Sequence, residues 1–157
     1  MKIPAEWKKL FDSLSSNRVR FLVVGAHALA VHGRPRATGD LDILVEPTPA
    51  NAARVGAALK EFGFAALAKQ ASEFARPDRM ATLGREPLRI DIMTSISGVS
   101  FAAAWRGRVQ VTIGDRKVGF LGRREFLQNK RASGRPKDLL DIALLQEGRE
   151  RRKPRSK

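Results

Sequence analysis

At 157 residues and 43% hydrophobic content, the chain is long enough for one domain with a sizeable core, too short for two comfortable ones, and not disordered in composition. It has no cysteine, which excludes a disulfide framework and any thiolate metal site. Thirty Lys and Arg against sixteen Asp and Glu leave a net charge of +14, which favours a polyanionic partner such as nucleic acid.

Residues 4–16 read as an amphipathic helix, because Trp7, Leu10, Phe11 and Leu14 recur at helical spacing. Residues 20–24 make a short β-branched apolar strand ending at Gly25. Residues 26–31 have the composition of a short helix, which Gly33-Arg-Pro35 stops. An acidic strand follows at 40–45. Thr48 suits the N-cap, and Pro49 the first residue, of a helix running to Phe62 with Gly63 as its C-cap. Residues 64–79 show no clear period. Residues 80–83 and 88–93 read as strands joined by a turn at Gly84-Arg-Glu-Pro87, and 101–105 as a short helix. Strands at 109–113 and 117–121 flank Gly114-Asp115, a hairpin signal. Helices at 123–131 and 136–147, separated by Ala132-Ser-Gly134, close the pattern. This order of elements predicts a single α/β (α+β) domain over 1–148, with a mixed sheet flanked by helices and the acidic strand near its middle. Residues 149–157 form a basic tail of the kind that is usually solvated and disordered. The longest apolar run, 21–31, is interrupted by Gly25 and His27 and is too short to span a bilayer. No export leader is recognisable, so a cytoplasmic protein with no membrane partner is expected.

The chemistry-bearing signal is acidic. In Gly39-Asp-Leu-Asp-Ile-Leu-Val45 the acids Asp40 and Asp42 alternate with apolar residues, so a half-buried strand would carry both carboxylates on one face, roughly 7 Å apart. Asp91, in Arg89-Ile-Asp-Ile-Met93, has Ile90 and Ile92 opposite it in the same way. If these strands are neighbours, the carboxylates repel one another unless a cation neutralises them. Hard oxygen ligands of this type suit Mg²⁺, held by carboxylates together with substrate phosphates. Gly25, between a strand and a helix, lets an anion approach free backbone N–H groups. The bland alternatives are structural ion pairs of the acids with Arg36 or Arg89, and a glycine that serves packing alone. His27 and His32 fit one helix face poorly, which argues against a zinc site. Tyrosine is absent and aromatics make up only 6%, so phosphate contact is favoured over base stacking.

In their order, these elements resemble the DNA polymerase β-type nucleotidyltransferase superfamily: Val23-Val-Gly-Ala26, then Asp40-Leu-Asp42, then Asp91. The stretch from Val24 to Asp42 is similar to small bacterial members related to the AbiEii-type toxins. Lys130-Arg-Ala-Ser-Gly-Arg-Pro-Lys-Asp-Leu-Leu-Asp141 resembles their closing Arg-x-Lys-Asp-x-x-Asp motif. The likeness covers roughly 20–145. It implies a palm-like sheet and transfer of a nucleoside monophosphate from an NTP with two Mg²⁺ ions. Asp40 and Asp42 would hold both ions, and Asp91 would bind the catalytic metal and help to deprotonate the acceptor. Gly25 and Ala26 would receive the triphosphate, with Lys130, Arg135 and Lys137 supplying positive charge. Asp138 and Asp141 would position Lys137 or cap the last helix. The implied acceptor is RNA, for example tRNA, or a protein, and a toxin–antitoxin setting is compatible. Ala26 departs from the Gly or Ser usual in that family, which keeps open a rival reading: a catalytically inactive module that binds RNA or a partner protein through its basic surface.

Overall fold

The computed structural model describes residues 3–33 and 40–152. Trp7, Leu10, Phe11 and Leu14 are all buried on α1 (Ala5–Ser16), as their spacing predicts. After it come β1 (Phe21–Val24), α2 (Ala26–Val31), β2 (Leu41–Val45) and α3 (Pro49–Phe62). The α3 ends are closed as the sequence indicates. The Thr48 hydroxyl accepts from the Asn51 N–H at 3.2 Å, and Gly63 turns left-handed at φ 104°. Further along lie α4 (Ala65–Ala68), β3 (Met80–Leu83), β4 (Ile90–Met93), α5 (Phe101–Arg106), β5 (Val109–Ile113) and β6 (Arg116–Phe120). The helices α6 (Arg123–Ser133) and α7 (Pro136–Arg152) complete the described chain.

The six strands form one mixed sheet in the order β3-β4-β2-β1-β6-β5, which puts the acidic strand β2 in its interior. β1 pairs antiparallel with β2 and parallel with β6, while β2 pairs parallel with β4. The β3–β4 and β5–β6 pairs are antiparallel, as expected for their short turns. Leu41, Ile43 and Val45 join Trp7, Leu10, Phe11, Val55 and Leu59 in one apolar cluster, so α1 and α3 cover that face. Leu44, Leu22 and Val24 point the other way and pack with Ala104, Phe126, Leu127, Ile142 and Leu145 of α5, α6 and α7. The fold is thus a single α+β domain with a six-stranded mixed sheet flanked by helices.

Three local expectations need adjustment. β2 is covered on both faces rather than half-buried, because Leu44 on the acids' own face also meets helices; only its start is open. Residues 64–79, which have no period of their own, form α4 and a 3-10 turn (Ala71–Ala75) that are organised by docking on α3: Phe74 is buried, and Gly56 leaves the room that Ala71 fills. The last helix continues to Arg152, past its expected end at residue 147, and residues 153–157 of the basic tail lie outside the described residues. No helix among the described residues is long and apolar enough to cross a membrane.

Candidate active site

Strand register brings the acids together. β2 and β4 run parallel with Asp42 opposite Asp91 and Leu41 opposite Ile90, so the two carboxylates are lateral neighbours on the face that α6 and α7 cover farther along. Asp40 sits just before β2. There the Leu41 N–H donates to the Arg89 carbonyl at 2.9 Å and ties the start of β2 to the start of β4. The His27 ring bonds to the Asp40 backbone and meets Trp7 edge-on at a centroid distance of 4.8 Å. Burial depresses the His27 pKa, so the ring is neutral at pH 7 and acts as a spacer under Asp40 rather than as a charge.

Gly25 is required here for a reason that the sequence reading did not contain. Val24 pairs with Asp42 across β1–β2, which carries the next residue against the Asp42 carboxylate. A Cβ on Gly25 would run into that carboxylate, and the backbone adopts φ +71°. The glycine therefore makes the space in which Asp42 lies. Ala26, its expected companion in triphosphate binding, is buried and does not line the cleft. Its helix α2 has only six residues.

A cleft of about 650 Å³ opens over the acids. Gly25, Asp40, Asp42 and Asp91 line one side, and Lys130, Arg135 and Lys137 the other. All the predicted site residues except Ala26 thus share one cavity. Burial, then the charges of Asp91 and Asp40, raise the Asp42 pKa, and Lys137 and Lys130 partly offset that rise. Asp91 is only 5% exposed and both its oxygens are engaged. Oδ1 accepts from the Thr82 hydroxyl at 2.7 Å, and Oδ2 accepts from the Arg89 guanidinium at 3.1 Å. The same Arg89 nitrogen lies 3.8 Å from Asp40. Ion pairing of the acids with Arg89, the bland sequence alternative, is therefore present; Arg36, its other named partner, lies outside the described residues.

The three cations expected to meet a triphosphate are not equivalent. Lys130 is 5% exposed, with its ammonium 3.2 Å from Asp138 and 3.6 Å from Asp141 at the α6–α7 junction. Arg135 donates to Asp138 from its side chain at 2.9 Å and from its backbone at 3.1 Å, so Asp138 caps α7. Burial alone would raise the Asp138 pKa, but hydrogen bonds from Arg135, Ser133 and Lys130 hold it well below the ordinary carboxylate range. Lys130 and Asp138 thus form a buried strut in the cleft wall, while Lys137 is exposed at the cleft and close enough to stabilise the Asp42 anion. Thr82 was missed by sequence reasoning. Only the β3–β4 register, which sets it opposite Asp91, reveals it.

Oxygen donors on adjoining strands, one with a pKa raised by burial and by its like-charged neighbours, are chemically suited to a hard divalent cation. As the side chains stand, however, no three acidic or histidine groups among the described residues close around one point at ligand distance. Arg89 fills the gap between Asp40 and Asp91.

Two outcomes are expected. Asp42→Asn stabilises the metal-free protein at neutral pH. The folded pKa of Asp42 exceeds its ordinary 3.8, so its contribution favours folding only below pH 3.8 and is lost as pH rises. The Tm gain of the variant should accordingly vanish near pH 3 and grow toward pH 7, at about 2–4 °C per kcal/mol relieved. Lys130→Met, which leaves Asp138 and Asp141 buried beside an apolar chain, should cost about 3–5 kcal/mol in urea unfolding. A loss below about 1 kcal/mol would mean that the Lys130 charge is not a strut.

No protein-family model and no curated protein sequence matches the chain. Among solved structures, it is similar to the crystal structure of a provisionally assigned nucleotidyltransferase from Thermotoga maritima, with a TM-score of 0.54 and 16% identity. The similarity covers 93% of this chain and 91% of that one, so it extends over nearly the whole chain. At that identity, what the two proteins share is the fold.

Proposed function

We propose that this chain is a Mg²⁺-dependent nucleotidyltransferase that moves a nucleoside monophosphate from an NTP to an RNA acceptor, of which a tRNA end is one example. The observation that carries the reading is the register that sets Asp42 beside Asp91 and against Gly25, in a polar cleft whose far wall is cationic. The fold shared with the Thermotoga maritima protein supports it, as does the order of motifs in the sequence. RNA is preferred over a protein acceptor because of the +14 net charge. A toxin–antitoxin setting rests on the motif likeness alone.

In this reading Asp40, Asp42 and Asp91 hold two Mg²⁺ ions, which would stabilise the attacking and leaving oxygens of an in-line displacement. The chain's own residues do the rest. Gly25 keeps the Asp42 carboxylate clear and lets phosphate approach the backbone. Lys137 faces the triphosphate from the opposite wall as a point charge, while Arg135, tied to Asp138, adds its positive charge to that wall. The Thr82 hydroxyl fixes Asp91 Oδ1, so the oxygen that would take the acceptor hydroxyl's proton is Oδ2, which Arg89 holds in the metal-free protein.

A second reading has one observation in its favour: Arg89 already neutralises Asp40 and Asp91, as it would in a catalytically silent module that binds RNA or a partner protein through its basic surface. One experiment separates the two. The protein is incubated with Mg²⁺, each α-³²P-labelled NTP in turn, and cellular RNA and protein. Label that nuclease removes establishes the RNA transferase, and label that protease removes would move the acceptor to protein. Asp42→Ala should lower transfer by about 10³-fold or more with an unchanged circular dichroism spectrum. Undiminished transfer by that variant would sink the site assignment. RNA binding that is steeply salt-dependent yet indifferent to Mg²⁺ and to Asp40→Ala, with no transfer, would establish the binding module.

A further inference from the structure

The clustered carboxylates need a cation, and the fold supplies one of its own. The Arg89 carbonyl accepts from the Leu41 N–H, which fixes the root of its side chain directly beside Asp40. Its guanidinium then reaches both Asp91, at 3.1 Å, and Asp40, at 3.8 Å.

The quality of this hold is unusual. Both ion pairs use the same terminal nitrogen, Nη2, so Arg89 makes no two-pronged fork to either acid. Its Nε is buried and has no hydrogen-bond partner among the described residues. Arg135 provides the contrast within the same cleft, since its Nε, Nη2 and backbone N–H all converge on Asp138. Arg135 is bound as a structural arginine, and Arg89 is held by one corner. The Arg89 side chain is also 39% exposed, so it can swing into the cleft without opening the core. Thr82 would keep Asp91 in place after such a departure.

We propose that Arg89 is a displaceable internal counter-ion: it occupies the cation position between Asp40 and Asp91, and a divalent metal engages Asp91 only when Arg89 gives way. The inference rests on reading the acids as a metal site. In the metal-free protein Arg89 neutralises the cluster. Once displaced, the guanidinium stands at the cleft mouth, where an anionic substrate meets it. Metal affinity is therefore set by competition with a residue two positions before the third acid.

Titration of the full chain with Mn²⁺, followed by the electron paramagnetic resonance signal of the free ion, tests this without reference to catalysis. Arg89→Gln should bind Mn²⁺ about tenfold more tightly than the wild type, because no guanidinium has to leave the acids first. Arg89→Lys keeps the charge and should stay within about threefold of the wild type. Unchanged or weaker binding by Arg89→Gln, with wild-type binding abolished by Asp42→Asn, would overturn the role of Arg89 while leaving the metal site intact. Absence of bound Mn²⁺ in both the wild type and Arg89→Gln would overturn the metal site and this inference with it.

Discussion

The parallel pairing of β2 with β4 is the constraint from which the rest follows. It sets Asp42 and Asp91 side by side, with Asp40 just ahead, and so builds repulsion into the interior of the sheet. Like charges set side by side are costly in a poorly solvated site, and such strain is characteristic of functional sites. Burial first, and then these neighbouring charges, raise the Asp42 pKa in the folded protein. The remaining charges in the cleft are arranged around it.

That arrangement has two tiers. At the α6–α7 junction, buried Lys130, Asp138 and Asp141 pair with one another and with the exposed Arg135, and this network holds the cleft's far wall in position. Across the cleft, Arg89 reaches two acids through a single nitrogen, and on α7 itself Lys137 stands exposed to the cleft. Rigid pairs thus frame the cavity, while loosely held cations face the acids. A cleft organised in this way would keep its shape if its mobile charges were exchanged for the proposed metal and polyphosphate, because that exchange would not touch the walls.

Much of this was legible in the sequence because it depends on local signals. The spacing of Trp7, Leu10, Phe11 and Leu14, the Thr48-Pro49 start and Gly63 end of α3, and the Gly114-Asp115 turn each specify an element without help from the rest of the chain. The two strands bearing Asp42 and Asp91 could be named in the same way. What a linear reading could not supply is everything set by register or docking. The roles of Thr82 and Gly25 follow from their strand partners, and the order of α4 and the 3-10 turn from their contact with α3. Lys130 and Lys137 looked alike as cations in one motif. Helix packing separates them into a buried strut and an exposed charge. Ala26 was a consequence of motif likeness alone, and its burial takes it out of the cleft.

The central claim is that the carboxylate cluster is a divalent-cation site over which a triphosphate lies. Its most direct test is a crystal structure of the protein with Mn²⁺ and a non-hydrolysable NTP, read by anomalous scattering. The account predicts anomalous peaks between Asp40, Asp42 and Asp91, with the triphosphate running toward Lys137 and the Arg89 guanidinium withdrawn from Asp91. Nucleotide bound elsewhere, or no peak at the acids while Arg89 keeps its bond to Asp91, would contradict it.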